Sequence, residues 1–113
     1  MTQVTITNKQ NNEIITEGIL GQDIEIVEGY YYFDPSKVDL SGLTIKKAAY
    51  FCPVKNSKCD YYFVSDATGN PVGREIAWVY PEISNNLFSS IAGKIGFYSK
   101  SSEQVQFSTN EIN

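Results

Sequence analysis

The chain has 113 residues, enough for one domain with a single core, and its hydrophobic content of 42 % is ordinary for a globular protein. Its 9 Lys and Arg against 13 Asp and Glu give a net charge of −4, which argues against nucleic acid as a partner because positive charge holds phosphate backbones. No apolar run approaches the roughly 18 residues that span a bilayer, and Met1–Thr5 lacks the basic and apolar regions of a secretion signal, so we expect no membrane contact and a cytoplasmic location.

Short segments that alternate apolar and polar side chains open the chain, and this period is typical of half-buried β-strands. The Asn-rich turn after the first segment predicts that the first two strands form a hairpin. Three strands are predicted in this part of the chain, at residues 4–7, 13–17 and 23–28.

Four consecutive aromatic residues, Tyr30 to Phe33, follow at once. Because side chains alternate along a strand, Tyr30 and Tyr32 point to one face and Tyr31 and Phe33 to the other. This strand is therefore either covered on both faces, or one of its faces lines a pocket.

The middle of the chain predicts further strands separated by turns. Asp34 followed by Pro35 is typical of a short helical turn, since aspartate caps a helix and proline favours its first position. Pro53 ends a strand, because proline cannot donate a hydrogen bond to a sheet. Strands are predicted at residues 44–51, 59–65, 72–80 and 91–98, with a second helical turn near 84–88.

The residues after 98 are mostly polar, and terminal segments fray unless other contacts hold them. We therefore divide the chain into an all-β domain, residues 1–98, and a polar C-terminal tail, residues 99–113, expected to be disordered. Val105 and Phe107 alternate with polar residues, so an added edge strand is the alternative for the tail. The many short strands predict a single small all-β domain of two packed, twisted antiparallel sheets with little helix.

The chain contains no histidine, and this absence excludes more kinds of catalytic and metal site than any other feature of the composition. Without histidine, neither a Ser-His-Asp nor a Cys-His arrangement can form. A structural zinc site takes four Cys or His ligands, whereas the chain offers only Cys52 and Cys59. A disulfide between these two would be transient in a reducing cytoplasm. We therefore expect neither a metal nor another cofactor.

Several short segments carry a family resemblance. They are Tyr31–Pro35, Cys52–Asn56, Ala77–Pro81, and Ile91–Gly93 with Phe97–Tyr98. In this order and spacing, over roughly residues 4–98, they resemble a bacterial family catalogued as domain of unknown function 427, some members of which carry a nucleotidyltransferase label. That family is similar in fold to the β-tent domains, so the resemblance implies a β-tent-like fold. Val54 and Asn56 depart from the family's tyrosine and glycine, which implies a loop of different shape after Cys52.

Neither zinc nor nucleotidyl transfer is carried over with this resemblance. The paired Cys-x-x-Cys motifs of the zinc-containing β-tent domains are missing. Nucleotidyl transfer needs clustered carboxylates for Mg²⁺ and a cradle for phosphate. The chain has neither a Gly-rich phosphate loop nor a tight Asp-x-Asp pair.

A candidate site joins the loop after Cys52 to the aromatic residues of a later strand. Trp78 and Tyr80 lie on one face of that strand. Lys55 near aromatic walls would hold a carboxylate or phosphate, or would stack on Trp78. The alternative is a lysine in solvent beside an ordinary aromatic core. The candidate ligand-binding residues are Cys52, Lys55, Trp78, Tyr80, Tyr32 and Tyr62, and no catalytic residue is singled out.

Three functions follow as hypotheses. The first is a non-enzymatic binding module whose aromatic cleft engages a small anionic ligand or a peptide of a protein partner. The second is an enzyme of unknown reaction that uses Cys52 or Lys55, although a cysteine without a histidine base is more typical of a small buried hydrophobe. The third is a structural protein whose aromatic edge pairs into a homodimer, so monomer and homodimer are both open.

Overall fold

The computed structural model describes residues 1–113 and contains nine β-strands and two short 3₁₀ helices. The strands are β1 (Thr2–Asn8), β2 (Ile14–Ile19), β3 (Ile24–Val27), β4 (Tyr30–Phe33), β5 (Leu43–Cys52), β6 (Ser57–Ser65), β7 (Pro71–Val79), β8 (Ile95–Phe97) and β9 (Val105–Glu111). The 3₁₀ helices are Pro35–Lys37 and Asn86–Ile91. The predicted all-β class is confirmed. No helix in the structure has the length and apolar character needed to cross a membrane.

The strands form two antiparallel sheets. The smaller sheet has the order β2–β1–β9, and the larger has the order β3–β4–β8–β7–β6–β5. A two-residue turn joins β3 to β4, and both of its residues, Glu28 and Gly29, have positive φ angles of 56° and 82°. Tight turns of this kind match the right-handed twist of the strands they connect. The turn places Glu28 at the rim of the larger sheet.

The sequence left two alternatives for residues 99–113, and the structure has the added edge strand. β9 pairs with β1 along its whole length. Val105 is buried, and Phe107 packs edge-to-face on Tyr31 of the larger sheet, with 5.4 Å between the ring centroids. A polar segment can hold such a position because only every second side chain of a strand needs to face the core.

Alternation along β4 divides its aromatic side chains between two packed regions. Tyr31 and Phe33 face the core between the two sheets, where Phe33 meets Phe97 edge-to-face at 5.4 Å. Tyr30 and Tyr32 face the opposite side of the larger sheet, where both meet Trp78. One face of β4 is therefore covered by core, and the other belongs to an aromatic region outside it.

The strand predicted at residues 91–98 is wrong in its first half. Only Ile95–Phe97 form β8, whereas Ile91 ends the second 3₁₀ helix. The side chain of Asn85 begins this helix by accepting a hydrogen bond from the backbone of Leu87, and Gly93, at φ 78°, turns the chain back toward the sheet. A short apolar run does not distinguish a strand from a buried helical turn, which explains the error.

Two bulges interrupt the ladder of the larger sheet. Residues 47–49 of β5 lie opposite Asp60 alone, and the buried Asp60 carboxylate accepts a hydrogen bond of 2.8 Å from the backbone N–H of Ala48. Residues 73–76 of β7 lie opposite Phe63 alone. Bulges change the direction of side chains locally. The second bulge lies between two concave regions of the molecule, which the following sections describe.

Candidate functional site

The larger sheet carries an open cavity of about 360 Å³ on the face that is turned away from the smaller sheet. Of its 12 lining residues, 6 are tyrosines and one is the single tryptophan. The remaining lining residues are two cysteines, two glutamates and one lysine. We call this cavity the aromatic cleft. Its walls are apolar ring surfaces that end in hydroxyl groups, a composition suited to a small ligand.

Most of the predicted binding residues meet in the aromatic cleft. The predicted residues that line it are Cys52, Lys55, Trp78, Tyr80 and Tyr32. Tyr62 does not line it, because its side chain packs against the core between the sheets. Along β6, Cys59 and Tyr61 point into the cleft, so alternation directs Tyr62 to the opposite face.

The sequence analysis missed the other lining residues, which are Glu28, Tyr30, Tyr50, Cys59, Tyr61, Glu75 and Tyr98. Counting in steps of two would have found some of them, since Tyr30 precedes Tyr32 and Tyr50 precedes Cys52 by one full period. The same count from Tyr32 arrives at Glu28 only by running past the end of β4, and no count in steps of two from Trp78 or Tyr80 reaches Glu75. Glu28 lies in a turn and Glu75 in a bulge, where the alternation of the strands does not hold.

Trp78 forms the base of the aromatic cleft. Its indole Nε1 donates a hydrogen bond of 3.0 Å to the Tyr32 hydroxyl, so a buried donor and a buried phenol satisfy each other. Tyr30 and Tyr98 meet the indole edge-to-face, at centroid distances of 5.1 and 4.8 Å. Gly96 lies beneath Trp78 and Tyr32, and it leaves the room in which both rings pack. The cleft is therefore a rigid aromatic surface.

Lys55 brings a buried positive charge to the wall of the cleft. Its side chain is only 5 % exposed and forms an ion pair with Glu28, whose own side chain is 41 % exposed. The ammonium Nζ also lies 5.3 Å from the ring centroid of Tyr80 and 4.7 Å from that of Phe88. Of the two alternatives for Lys55, the structure has the buried lysine beside aromatic rings, and these rings are those of Tyr80 and Phe88 rather than Trp78. A cation between aromatic faces keeps part of its stabilisation after desolvation.

Hydrogen bonds between two loops hold Lys55 in place. The Ser57 hydroxyl donates to the Lys55 carbonyl at 3.2 Å and accepts from the backbone N–H of Ser84, also at 3.2 Å. The Asn85 amide donates to the Val54 carbonyl at 2.9 Å. The turn between β5 and β6 is thereby anchored to the segment between β7 and β8, and the lysine is positioned before any ligand arrives.

A second charged group lies at the other end of the cleft. The Tyr98 hydroxyl donates a hydrogen bond of 2.7 Å to Glu75, and the Nε of Arg74 lies 3.5 Å from the same carboxylate. The Arg74 guanidinium also lies 5.9 Å from the centroid of the Tyr98 ring. These contacts fix Glu75 and Tyr98 as one wall, which separates the cleft from a neighbouring cavity.

The two thiols are free and buried. Burial raises the pKa of the Cys59 thiol to about 11. Since the thiolate is the reactive form, Cys59 is a poor nucleophile near neutral pH. Burial likewise raises the pKa of Tyr80, beside both cysteines, well above its ordinary value. The side chains of Cys59 and Tyr80 are therefore uncharged near neutral pH.

Alkaline conditions should destabilise the fold through the tyrosines of the cleft. Burial raises the pKa of Tyr32 and of Tyr98 to about 12, from an ordinary value of 10. The unfolded chain therefore loses these protons first, so their contribution is complete below about pH 10 and is lost as the pH rises toward about 12. Urea unfolding across this range, with tyrosinate absorbance recorded in parallel, measures the effect. Ionisation of all tyrosines in one step near pH 10, without loss of stability, would contradict it.

Comparison with known protein families gives a match over most of the chain. The family described as domain of unknown function (DUF427) matches residues 25–108, which include every residue that lines the aromatic cleft. A search of curated proteins found no match for the chain.

Proposed function

The chain belongs to the domain of unknown function 427 family, and on this premise we propose that it acts in the cytoplasm as a non-enzymatic binding module for a small anionic ligand. The ligand would have a flat, apolar body that packs on Trp78 and the tyrosines of the aromatic cleft. Its acidic group, a carboxylate or a phosphate, would meet Lys55. A peptide with an acidic side chain presents the same chemistry.

The observation that carries this proposal is the unequal burial of the Lys55–Glu28 pair. The ammonium is 5 % exposed and held by its loop, while the carboxylate is 41 % exposed and lies on a turn at the rim. Glu28 can turn into solvent once another anion takes its place beside Lys55, whereas Lys55 cannot leave the cleft. An incoming anion can therefore replace Glu28 as the partner of a cation that is already in position, which lowers the entropic cost of binding.

The walls of the cleft favour an aromatic or otherwise flat ligand. Tyr30, Trp78 and Tyr98 present rings at large angles to one another, so a planar molecule meets both ring faces and ring edges. A volume of about 360 Å³ lies in the range of small-ligand pockets, roughly 300–1,000 Å³.

Self-association has one observation in its favour. β5 is an edge strand of ten residues with Tyr50 and Phe51 about half exposed. The bulge at residues 47–49 and the neighbouring Lys46 and Lys47 interrupt that edge, and such features oppose strand pairing between molecules. We therefore place the homodimer second. If the protein formed dimers whose fraction rose with protein concentration, the aromatic surface would be a subunit interface rather than a ligand site.

Native mass spectrometry of gently purified protein tests the proposal first, since a retained ligand appears as added mass. Titration with 1-naphthoate then uses Trp78, the single tryptophan, as a fluorescent reporter inside the cleft. We expect Lys55→Met to weaken binding at least tenfold, which corresponds to about 1.4 kcal/mol. Lys46→Met is the matched control, because Lys46 is exposed and makes no ion pair. Equal affinity of the wild type and Lys55→Met would show that the site is wrong.

A further inference from the structure

A second cavity, of about 410 Å³, lies between the two sheets and adjoins the aromatic cleft. Tyr30, Glu75 and Tyr98 line both cavities and form the wall between them. The remainder of the second cavity comes from β1, β7, β8 and β9 and from the segment between β8 and β9. We call it the intersheet cavity. Its volume again falls in the range of small-ligand pockets.

The base of the intersheet cavity is apolar. Ile6 of β1, Ile76 of β7, Phe97 of β8 and Phe107 of β9 face it from both sheets. Three of these side chains are almost fully shielded from solvent, so the base belongs to the core between the sheets. A hydrocarbon chain in this place would leave water and pack against apolar side chains of both sheets.

The mouth of the intersheet cavity is positively charged, although the chain as a whole carries a charge of −4. Arg74 and Lys100 both line it. Lys100 makes no ion pair, and Arg74 has only Glu75, which at the same time accepts the hydrogen bond of Tyr98. Lys9 adds a further cation next to the mouth, because its Nζ donates to the carbonyl of the lining residue Ser102 at 2.7 Å. Among the lining residues the cations Arg74 and Lys100 stand against the single carboxylate of Glu75, so the lining carries a net positive charge.

The bulge in β7 produces this combination of an apolar base and a cationic mouth. Gly73, at φ 68°, starts the departure of residues 73–76 from the ladder with β6. The bulge brings Arg74 to the mouth, Glu75 to the shared wall and Ile76 to the base. One local deformation thus supplies three different parts of the cavity, as expected where a bulge directs side chains to a site.

We propose that the intersheet cavity binds an amphipathic anion, namely a free alkyl carboxylate of medium chain length. The alkyl chain lies on the apolar base between the sheets, and the carboxylate meets Arg74 and Lys100 at the mouth. Arginine suits this role because its planar guanidinium can pair with both oxygens of a carboxylate. This inference depends on different residues from those that hold the acidic group in the aromatic cleft, and it does not rest on the function proposed above.

Calorimetric titration with hexanoate, octanoate and decanoate, below the concentrations at which they form micelles, tests the proposal. Each buried CH₂ should tighten binding roughly fourfold, from about 0.8 kcal/mol per group. Decylamine has the same chain with the opposite charge and should bind at least tenfold more weakly than decanoate. Backbone amide shifts on addition of decanoate should centre on residues 73–76 and 99–107.

The double variant Arg74→Gln/Lys100→Gln should weaken decanoate binding at least tenfold, while both side chains lie at the surface and leave the fold intact. Lys46→Gln/Lys58→Gln changes the net charge equally, away from the cavity, and should stay within about twofold of wild type. Absence of decanoate binding would overturn the proposal. Equal binding of decylamine, or shifts centred on the aromatic cleft, would also overturn it. If the protein bound anionic vesicles but not free decanoate, the proposal would be overturned, and Arg74 and Lys100 would instead be residues that contact a membrane surface.

Discussion

Replacing Gly96 by alanine is expected to lower the free energy of unfolding by about 3 kcal/mol, since overpacking costs about 1–3 kcal/mol and a lost hydrogen bond adds about 1. A Cβ atom at this position would lie 2.6 Å from Nε1 of Trp78 and 2.7 Å from a ring carbon of Tyr32. Both rings are buried and hydrogen-bonded to each other, so neither can move aside freely. The added methyl group must therefore separate Trp78 from Tyr32 and deform the base of the aromatic cleft.

Equilibrium unfolding in urea, followed by Trp78 fluorescence, measures this change. Gly42→Ala is the matched control, because a Cβ there meets its nearest neighbour at an ordinary 3.6 Å and the backbone φ is not positive. That variant should be neutral or more stable by up to about 1 kcal/mol, through the lower entropy of its unfolded chain. If both variants unfolded at the same urea concentration, the close packing of Gly96 against the two rings would be disproved.

Replacing Glu28 by glutamine is expected to cost about 2 kcal/mol, less than the roughly 3–5 kcal/mol of breaking a fully buried ion pair, because the Glu28 side chain is 41 % exposed. The reason is that Lys55 would remain charged and 5 % exposed, with only the Tyr80 and Phe88 rings and its loop contacts to compensate. Glutamine keeps the shape of the side chain and tolerates the turn about as well as glutamate does. The cost therefore reports the lost charge and not a change of backbone conformation at φ 56°.

Removing the other partner of the ion pair should cost less stability. Lys55→Met removes the buried charge and leaves Glu28, which is 41 % exposed and can turn into solvent, so we expect a loss below about 1 kcal/mol. The double variant Glu28→Gln/Lys55→Met should be more stable than Glu28→Gln alone. Urea unfolding of the four proteins forms a double-mutant cycle that isolates the pair. Equal costs for the two single variants would contradict the unequal burial on which the proposed ligand site depends.

Alternation was the most informative signal in the sequence for both fold and site. It predicted β1 to β7 near their observed bounds and divided Tyr30 and Tyr32 from Tyr31 and Phe33, as the structure has them. The same rule, counted from Cys59, selects Tyr61 for the cleft and directs Tyr62 to the core. Choosing Tyr62 was an error of phase along one strand, and knowledge of which face Cys59 occupies would have corrected it.

Residues in turns and bulges could not be assigned to a face of the sheet from the sequence, because the alternation of side chains does not hold there. Glu28 reaches Lys55 across 27 positions, from a turn whose residues belong to neither face of a strand. Glu75 and Arg74 lie in a bulge that shifts the register of β7 by several residues. The register between two strands depends on which strands become neighbours. The sequence therefore carries no local signal for the Glu28–Lys55 pair or for the bulge that holds Arg74 and Glu75.

The sequence by itself determined the class of the fold, which side chains of a strand share a face and the absence of histidine chemistry, because these depend on local composition and on a period of two residues. Only the tertiary structure decided that Lys55 is a buried, paired cation and that residues 105–111 form an edge strand. It also decided that two cavities share one wall. These features form where segments far apart in the chain meet. The burial and the pairing that stabilise them exist only once both segments are in contact, so neither segment's sequence shows them.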